Sequence, residues 1–473
     1  MKTPAISQFD RCLAPPLNGR RGERGVTMVL VALSMIAVMA MAALSIDVIT
    51  LYLANAEAQR SADTAALAAA RILSITGMTG DPTNANTGAG ANAWQSACQL
   101  ATQVATAVAQ QDTVGGVSLP AGQITVSYPN NSDTQFCSGT NPAFGVNPLV
   151  TVTVQRTNLP TFFARIWGQR GAAVGATATA EAFNSSASEV SGNGTNTTLI
   201  PVQPRCVKPW LVANADPEHG GGPFITAVDG TIQNSGIQVQ GSGGTGVIGE
   251  NFSLTADCTE TGAVGAQTCA STALKDNPPA ASTAKNTLDF IPSYVTAPPV
   301  AAMSCAPGSD YGQAIAGCDQ TTIYACGVPS GNQADLTIND TPDTATGASC
   351  LINADGGPDS LDETTYPYQI RAGLGNPLVG AHAVNTSDVV TASNSIVSVP
   401  ILASSTPVLP PGRPVVTVVG FLQLFIYGIG GTTGTDIQVY VLNVVGCGDG
   451  TTNPVGTPVA GSSPVPVRLI TYP

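Results

Sequence analysis

The sequence predicts an α+β chain in three tiers. A transmembrane helix lies near the N-terminus, it continues into a unit with a small antiparallel sheet, and a mainly β, disulfide-bearing extracytoplasmic domain follows. Three observations predict this. Val26–Ile46 contains no charged residue, no glycine and no proline. Only 10% of the 473 residues are charged while glycine (51) and proline (35) are plentiful, a composition that suits an exported β-rich protein better than a cytosolic enzyme. Ten of the 11 cysteines lie beyond the apolar run, the even set that an oxidising compartment pairs.

The apolar run comes first. At 1.5 Å per helical residue, Val26–Ile46 reaches about 30 Å, the hydrocarbon thickness of a bilayer. In lipid a backbone must satisfy its own hydrogen bonds, so the run predicts a membrane-spanning helix over residues 26–49, with the bilayer as first partner. Residues 1–25 form a short tail. It holds five basic residues, with Arg20, Arg21 and Arg24 next to the span, against two acidic ones. Positive flanks stay in the cytoplasm, which predicts N-terminus in and bulk of the chain out, a single pass of the inner (cytoplasmic) membrane. The whole chain carries −13, which excludes nucleic acid as a partner. A rival reading has Ala40-Met41-Ala42 as a cleavage site that releases a soluble product.

Helical character continues past the span. From Asp47 to Ile75 there is still no glycine or proline, and alanine, the best helix former, dominates. Leu51, Ala54, Ala58, Ala62, Ala65, Ala69 and Ile72 recur every three or four residues and share one stripe. Small residues let another backbone approach closely. The stripe therefore serves either a partner helix or the chain's own globular body. Gly77 and the Gly/Asn/Pro-rich run after it end the helix.

Residues 50–183 then read as a helical stalk plus small sheet. Ala91–Gln111 carries Trp94, Ala97, Ala101, Val104 and Val108 at helical spacing. Gln123–Tyr128, Leu149–Thr157 and Ala172–Phe183 read as strands. Cys98 and Cys137 are placed to tie helix to loop, and Phe162, Phe163 and Trp167 are expected to pack on the sheet. Asn184–Thr198 is Ser, Asn, Gly and Thr with little to bury, and reads as a linker. Residues 199–473 form the mainly β domain. Short strands are expected over Phe224–Gln240 and Val247–Leu254, with stapled loops over Thr272–Gly347. Pro414–Gly428 and Asp436–Val445 form the strongest strand pair, a hairpin turning at Gly428–Gly431. The disulfide candidates outside the membrane are Cys98, Cys137, Cys206, Cys258, Cys269, Cys305, Cys318, Cys326, Cys350 and Cys447, and their pairing is open.

Little in the sequence carries catalytic chemistry, so no catalytic, cofactor or metal site is expected. The two histidines stand apart: His219 in the turn Asp216–Gly222, read as solvated, and His382 without a motif around it. No Cys-x-x-Cys pair and no nucleophile, phosphate-loop or zinc-protease motif occurs. The acidic loop Asp355–Glu363 is the best calcium candidate but matches no EF-hand spacing.

A resemblance enters here. A basic leader, an unbroken apolar helix, Asp47 at its outer end and the run Gln59-Arg60-Ser61-Ala62-Asp63-Thr64-Ala65-Ala66-Leu67-Ala68-Ala69-Ala70 resemble the N-terminal segment of TadG-like Flp pilus-assembly proteins. Asp47, Gln59, Asp63 and Leu67 occupy the matching positions, and Arg60 and Ser61 depart from the pattern. The resemblance covers about fifty residues. It implies a membrane-anchored component of tight-adherence pilus assembly or its secretion machine, acting by protein–protein contact. It also implies helix association with TadE-like or pilin-like subunits through Ala54, Ala58, Ala65 and Ala69. The order helix, helix, sheet is similar to that of pilin-like proteins. Arg24-Gly25-Val26-Thr27-Met28 resembles a prepilin cleavage region, with Leu30 where type IV pilins carry Glu. The von Willebrand A metal motif of some TadG-like proteins does not occur here. The alternative from another class is an exported adhesin or surface-layer-like binding protein released by signal-peptide cleavage.

Overall fold

The computed structural model describes residues 23–79, 93–129, 133–134, 137, 147–168, 171–185, 202–227, 230–234, 236–238, 246–256, 286–296, 303–325, 332–338, 340–364, 366–380, 384–403, 409–410, 412–430, 436–447 and 459–471. The first helix, α1, runs without interruption over Glu23–Ile75, 53 residues. It stops where the sequence stops favouring it. Gly77 sits at φ +68°, a left-handed conformation that needs no Cβ, and the Met78 N–H donates back to the Leu73 carbonyl at 3.2 Å.

Helix α2 (Ala93–Gln111) packs against α1. Its buried face is Trp94, Ala97, Cys98, Ala101, Ala105 and Ala109. The expected Val104 and Val108 are only partly buried, because alanine lets the two helices approach more closely than valine would. A two-stranded ribbon follows, β1 (Thr113–Val114) with β2 (Val117–Ser118). Next come β3 (Ile124–Tyr128), β4 (Asp133–Thr134), β5 (Leu149–Leu159) and β6 (Ala172–Ala182). Period-two patterning sets their faces. Val150, Val152 and Val154 of β5 are buried, while Thr151 and Thr153 on the other face pair with Thr179 and Thr177 across the ladder.

The mainly β part opens with β7 (Val202–Pro204), β8 (Trp210–Val212), β9 (Asn251–Ala256) and β10 (Thr287–Pro292). Two helices follow, α3 (Asp310–Ala316) and α4 (Asp340–Leu351), then β11 (Ser360–Asp362), β12 (Gln369–Arg371), β13 (Ile396–Leu402), β14 (Val418–Gly430), β15 (Asp436–Gly446), β16 (Val459–Gly461) and β17 (Val467–Ile470). Six strands close a barrel in the order β10-β8-β13-β14-β15-β9. Closure removes the edges that long apolar strands would otherwise expose. The expected hairpin is its backbone, with β14 and β15 antiparallel from Gly420↔Gly446 to Gly430↔Asp436.

Several expectations are corrected. Phe224–Gln240 forms no strand among its described residues, only isolated bridges such as Ile225↔Ile232, since its repeated glycines favour turns. The stretch expected as stapled loops contains the fully buried strand β10 and helices α3 and α4. Helix α3 is started by Ser309, whose hydroxyl accepts from the Gly312 N–H, and its end is closed by the buried Lys208 ammonium, which donates to the Ile315 and Gly317 carbonyls at 2.6 and 2.7 Å.

The chain also doubles back. β17, the last strand, pairs with β6 and completes a five-stranded antiparallel sheet, β17-β6-β5-β3-β4, so this sheet draws on both sides of residues 184–198. Asn184 and Ser185, the start of the expected linker, are buried. The Asn184 amide donates to the Val444 carbonyl and the Ser185 hydroxyl to the Gly446 carbonyl. The Asn443 amide donates to the Ser74 carbonyl at 2.6 Å and to the Thr79 hydroxyl at 2.9 Å, and the Ser74 hydroxyl donates to the Val465 carbonyl. The end of α1 is thereby locked to the barrel through buried polar side chains that are all satisfied.

Candidate functional site

Helix α1 has two environments. Its large apolar residues from Val26 to Leu53 are exposed, apart from the half-buried Leu51: Val29, Leu30, Leu33, Ile36, Val38, Met39, Leu44, Ile49 and Tyr52 each leave at least half of their surface open. The helix is long and apolar enough to cross a membrane, and none of its most apolar window is buried in the protein. From Ala54 onward the pattern inverts. Ala54, Ala58, Ala62, Ala65, Ala66, Ala69 and Ala70 are buried at 2% exposure or less, against α2, β5 and β6. The alanine stripe is therefore an interface within this chain. For Ala54, Ala58, Ala65 and Ala69 this replaces the expected contact with a partner helix, because the sheet already occupies that face.

At the boundary stands Asp47, a buried carboxylate on an otherwise apolar helix. Its oxygens accept from the backbone N–H groups of Phe162 (2.9 Å), Phe163 (3.0 Å) and Ala164 (2.6 Å), the start of a single 3-10 turn at Ala164–Trp167. Three orphan donors and one carboxylate satisfy one another. The consequence is positional: a loop 115 residues away in sequence is pinned beside the helix at the level of Asp47. Phe162 does not pack on the sheet as expected. It is 61% exposed, as Val48 and Ile49 of the helix are at 56% and 57%.

The other motif residues divide by face. Gln59 is exposed and Asp63 and Leu67 half-buried, and the Gln59 amide donates to Asp63 Oδ1 at 2.7 Å one turn on. Of the orientation residues, Arg24 lies within α1, while Arg20 and Arg21 lie outside the described residues. Three disulfides join pairs of described residues: Cys98–Cys137, Cys206–Cys318 and Cys305–Cys350. The first ties α2 to the loop before β5, as expected. Cys447 is also disulfide-bonded. Cys258, Cys269 and Cys326 lie outside the described residues, as does His382.

A second cluster is less expected. The turn Asp216–Gly222 closes on itself: Asp216 Oδ1 accepts from the Glu218 and His219 N–H groups, and Gly220 and Gly221 take the left-handed conformations that reverse the chain. His219 is thereby folded back, Nδ1 2.8 Å from Asp216 Oδ2 and 2.9 Å from Oε1 of Glu250, the residue preceding β9. Both carboxylates are fully buried, whereas the imidazole is 22% exposed, so the turn is not simply solvated. Burial pushes the Glu250 carboxyl up from its ordinary value. The Glu250 carboxylate raises the His219 imidazole, burial opposes, and Asp216 adds to the rise. The Asp-x-x-His spacing in a glycine-rich turn was the only sequence signal for this cluster; nothing in the sequence connects it to Glu250.

The expected calcium loop shows no such convergence among the described residues. Asp359 accepts from Gly373 N and the Asn376 amide, Asp362 pairs with Arg371, and Glu363 accepts from the Tyr440 hydroxyl.

Residues 25–71, all within α1, match the Tad family model, described as Flp pilus-assembly TadE/G-like. No curated protein and no solved structure matches the chain. The match begins where α1 turns apolar, spans Asp47 and runs through the alanine stripe. Residues 25–71 are thus similar to a TadE/G-like Flp pilus-assembly segment, built here as one helix with a bare half and a buried half, and this similarity supports a role in Flp pilus assembly.

Proposed function

We propose that the chain is a single-pass, membrane-anchored, extracytoplasmic component of Flp pilus assembly or its secretion machine, acting by protein–protein contact. One observation carries this reading: the family match falls on a helix whose first half is apolar and bare while its second half is the spine of a folded body. Burying that bare surface in lipid removes it from water at about 25 cal/mol per Å², and only a bilayer offers a surface of that length. The alanine stripe is used internally, so association with TadE-like or pilin-like helices falls to the bare half, inside the membrane. A pilin-like use of the helix-on-sheet unit is part of this proposal.

Asp47 sets the depth of insertion. Its carboxylate is covered by the 162–164 backbone, so a charged group can sit at the lipid boundary, and the exposed Phe162 beside it adds apolar surface for lipid to cover. The test is fractionation of the full chain from cells. Wild type is expected in the integral membrane fraction, resistant to alkaline extraction, with Cys12 labelled only after lysis. Asp47→Ala is expected to stay in the membrane but to expose the 160–168 loop to protease. Recovery of a soluble mature chain beginning after Ala42 would overturn the anchor and move the exported adhesin ahead.

A further inference from the structure

We propose that Asp216, His219 and Glu250 form a binding site for one divalent first-row transition-metal ion, zinc being the ion its donor set fits. The three ligand atoms, one imidazole nitrogen and two carboxylate oxygens, lie within 4.8 Å of one another. Oε1 of Glu250 is met by His219 Nδ1 alone, at 2.9 Å, and Oε2 receives no hydrogen bond. A fully buried carboxylate in that condition is a costly arrangement that a cation at the same point relieves.

The charges point the same way. Asp216 and Glu250 face a single imidazole. Glu218, the remaining acidic group of the turn, is already used: its oxygens accept from the Gln238 amide, the Asn251 N–H and the Asn286 amide. One Nδ1–H can donate to one carboxylate at a time, and it is directed at Asp216. A divalent ion serves both carboxylates and the imidazole together.

Donor type selects the ion. One nitrogen with two carboxylates suits zinc and its neighbours, whereas calcium takes about six to eight oxygens, three to four times the two that converge here. Bonds of about 2.0–2.2 Å in a tetrahedron put ligand atoms about 3.3–3.6 Å apart, so His219 Nδ1, now 2.8 and 2.9 Å from the two carboxylates, must draw back by roughly half an ångström. Gly220 and Gly221 and the partial exposure of His219 allow the turn that movement. The fourth position falls to water on the exposed side. The ion's place in the fold is a clamp: it would join the 216–222 turn to the start of β9, whose backbone is fixed to β15 by Gly249 N–H to Val441 O and Val441 N–H to Glu250 O.

The experiment uses the full chain in detergent, without a histidine tag, oxidised and stripped with EDTA. Zinc is titrated by calorimetry, cobalt by its visible absorption, and thermal unfolding is followed with and without zinc. Wild type is expected to bind one zinc per chain, to gain several degrees in Tm and to lose them again in EDTA. Glu250→Gln and His219→Ala are expected to weaken zinc binding by more than about a hundredfold. Because Glu250→Gln keeps the side chain's size and removes a buried charge, it should keep at least the metal-free Tm of wild type, separating loss of the ion from loss of the fold. No saturable zinc binding by wild type, or wild-type affinity retained in both variants, overturns the proposal.

Discussion

The two halves of α1 share a backbone and invert each other's surface. In the first half large side chains point outward, Val38 and Met39 each 59% exposed; in the second, alanines point inward at almost zero exposure. Helix propensity is satisfied throughout, so it does not distinguish them. Side-chain size does. Bulky apolar residues present area to lipid, while alanine brings backbones together and leaves little room for anything larger. A charged residue should therefore have opposite consequences in the two halves.

The largest effect is expected at Ala62, which is 0% exposed between α1, α2 and the sheet. Ala62→Arg buries a charge without a partner, and a loss of about 3–5 kcal/mol in the stability of the helix-and-sheet unit is expected, read by denaturant unfolding. If the fold keeps its stability, the alanine face is not the tight internal interface described. Val38→Arg comes next. It should cost membrane insertion about 3 kcal/mol and leave the denaturation midpoint of the body unchanged. Glycosylation or labelling reporters in a membrane-insertion assay check the first part; an equal loss of body stability would abolish the contrast between the halves. The smallest effect belongs to Gln59→Ala. Its exposed bond to Asp63 is worth less than about 0.5 kcal/mol, so Tm should hardly move. Should pilus formation fail while Tm holds, the motif residue serves a partner; if pili form normally, Gln59 serves neither.

Much of the local structure was legible. An uninterrupted Val26–Ile75 without glycine or proline can only be helix, and the apolar alternation of β5 and of the β14–β15 hairpin marks half-buried or buried strands. Less legible was what covers each face. The alanine stripe looked equally suited to a partner or to the chain itself, because periodicity reports which residues share a face and not what meets it. Phe162 looked like core because aromatic clusters usually are; the hydrogen bonds to Asp47 hold its loop elsewhere. His219 looked solvated because its two buried partners come from the turn itself and from Glu250, 31 residues on.

The sequence by itself determined the helix, its apolar reach, its end at Gly77 and the strongest hairpin, since these follow from backbone propensity and from patterns within a few residues. Only the tertiary structure decided that six strands close into a barrel, that the last strand returns to the first sheet, and that Asp47 and Glu250 find the groups they face. Those outcomes depend on contacts between residues far apart in the chain, where the gain from burial and pairing is set by what arrives on the other side and not by the segment itself.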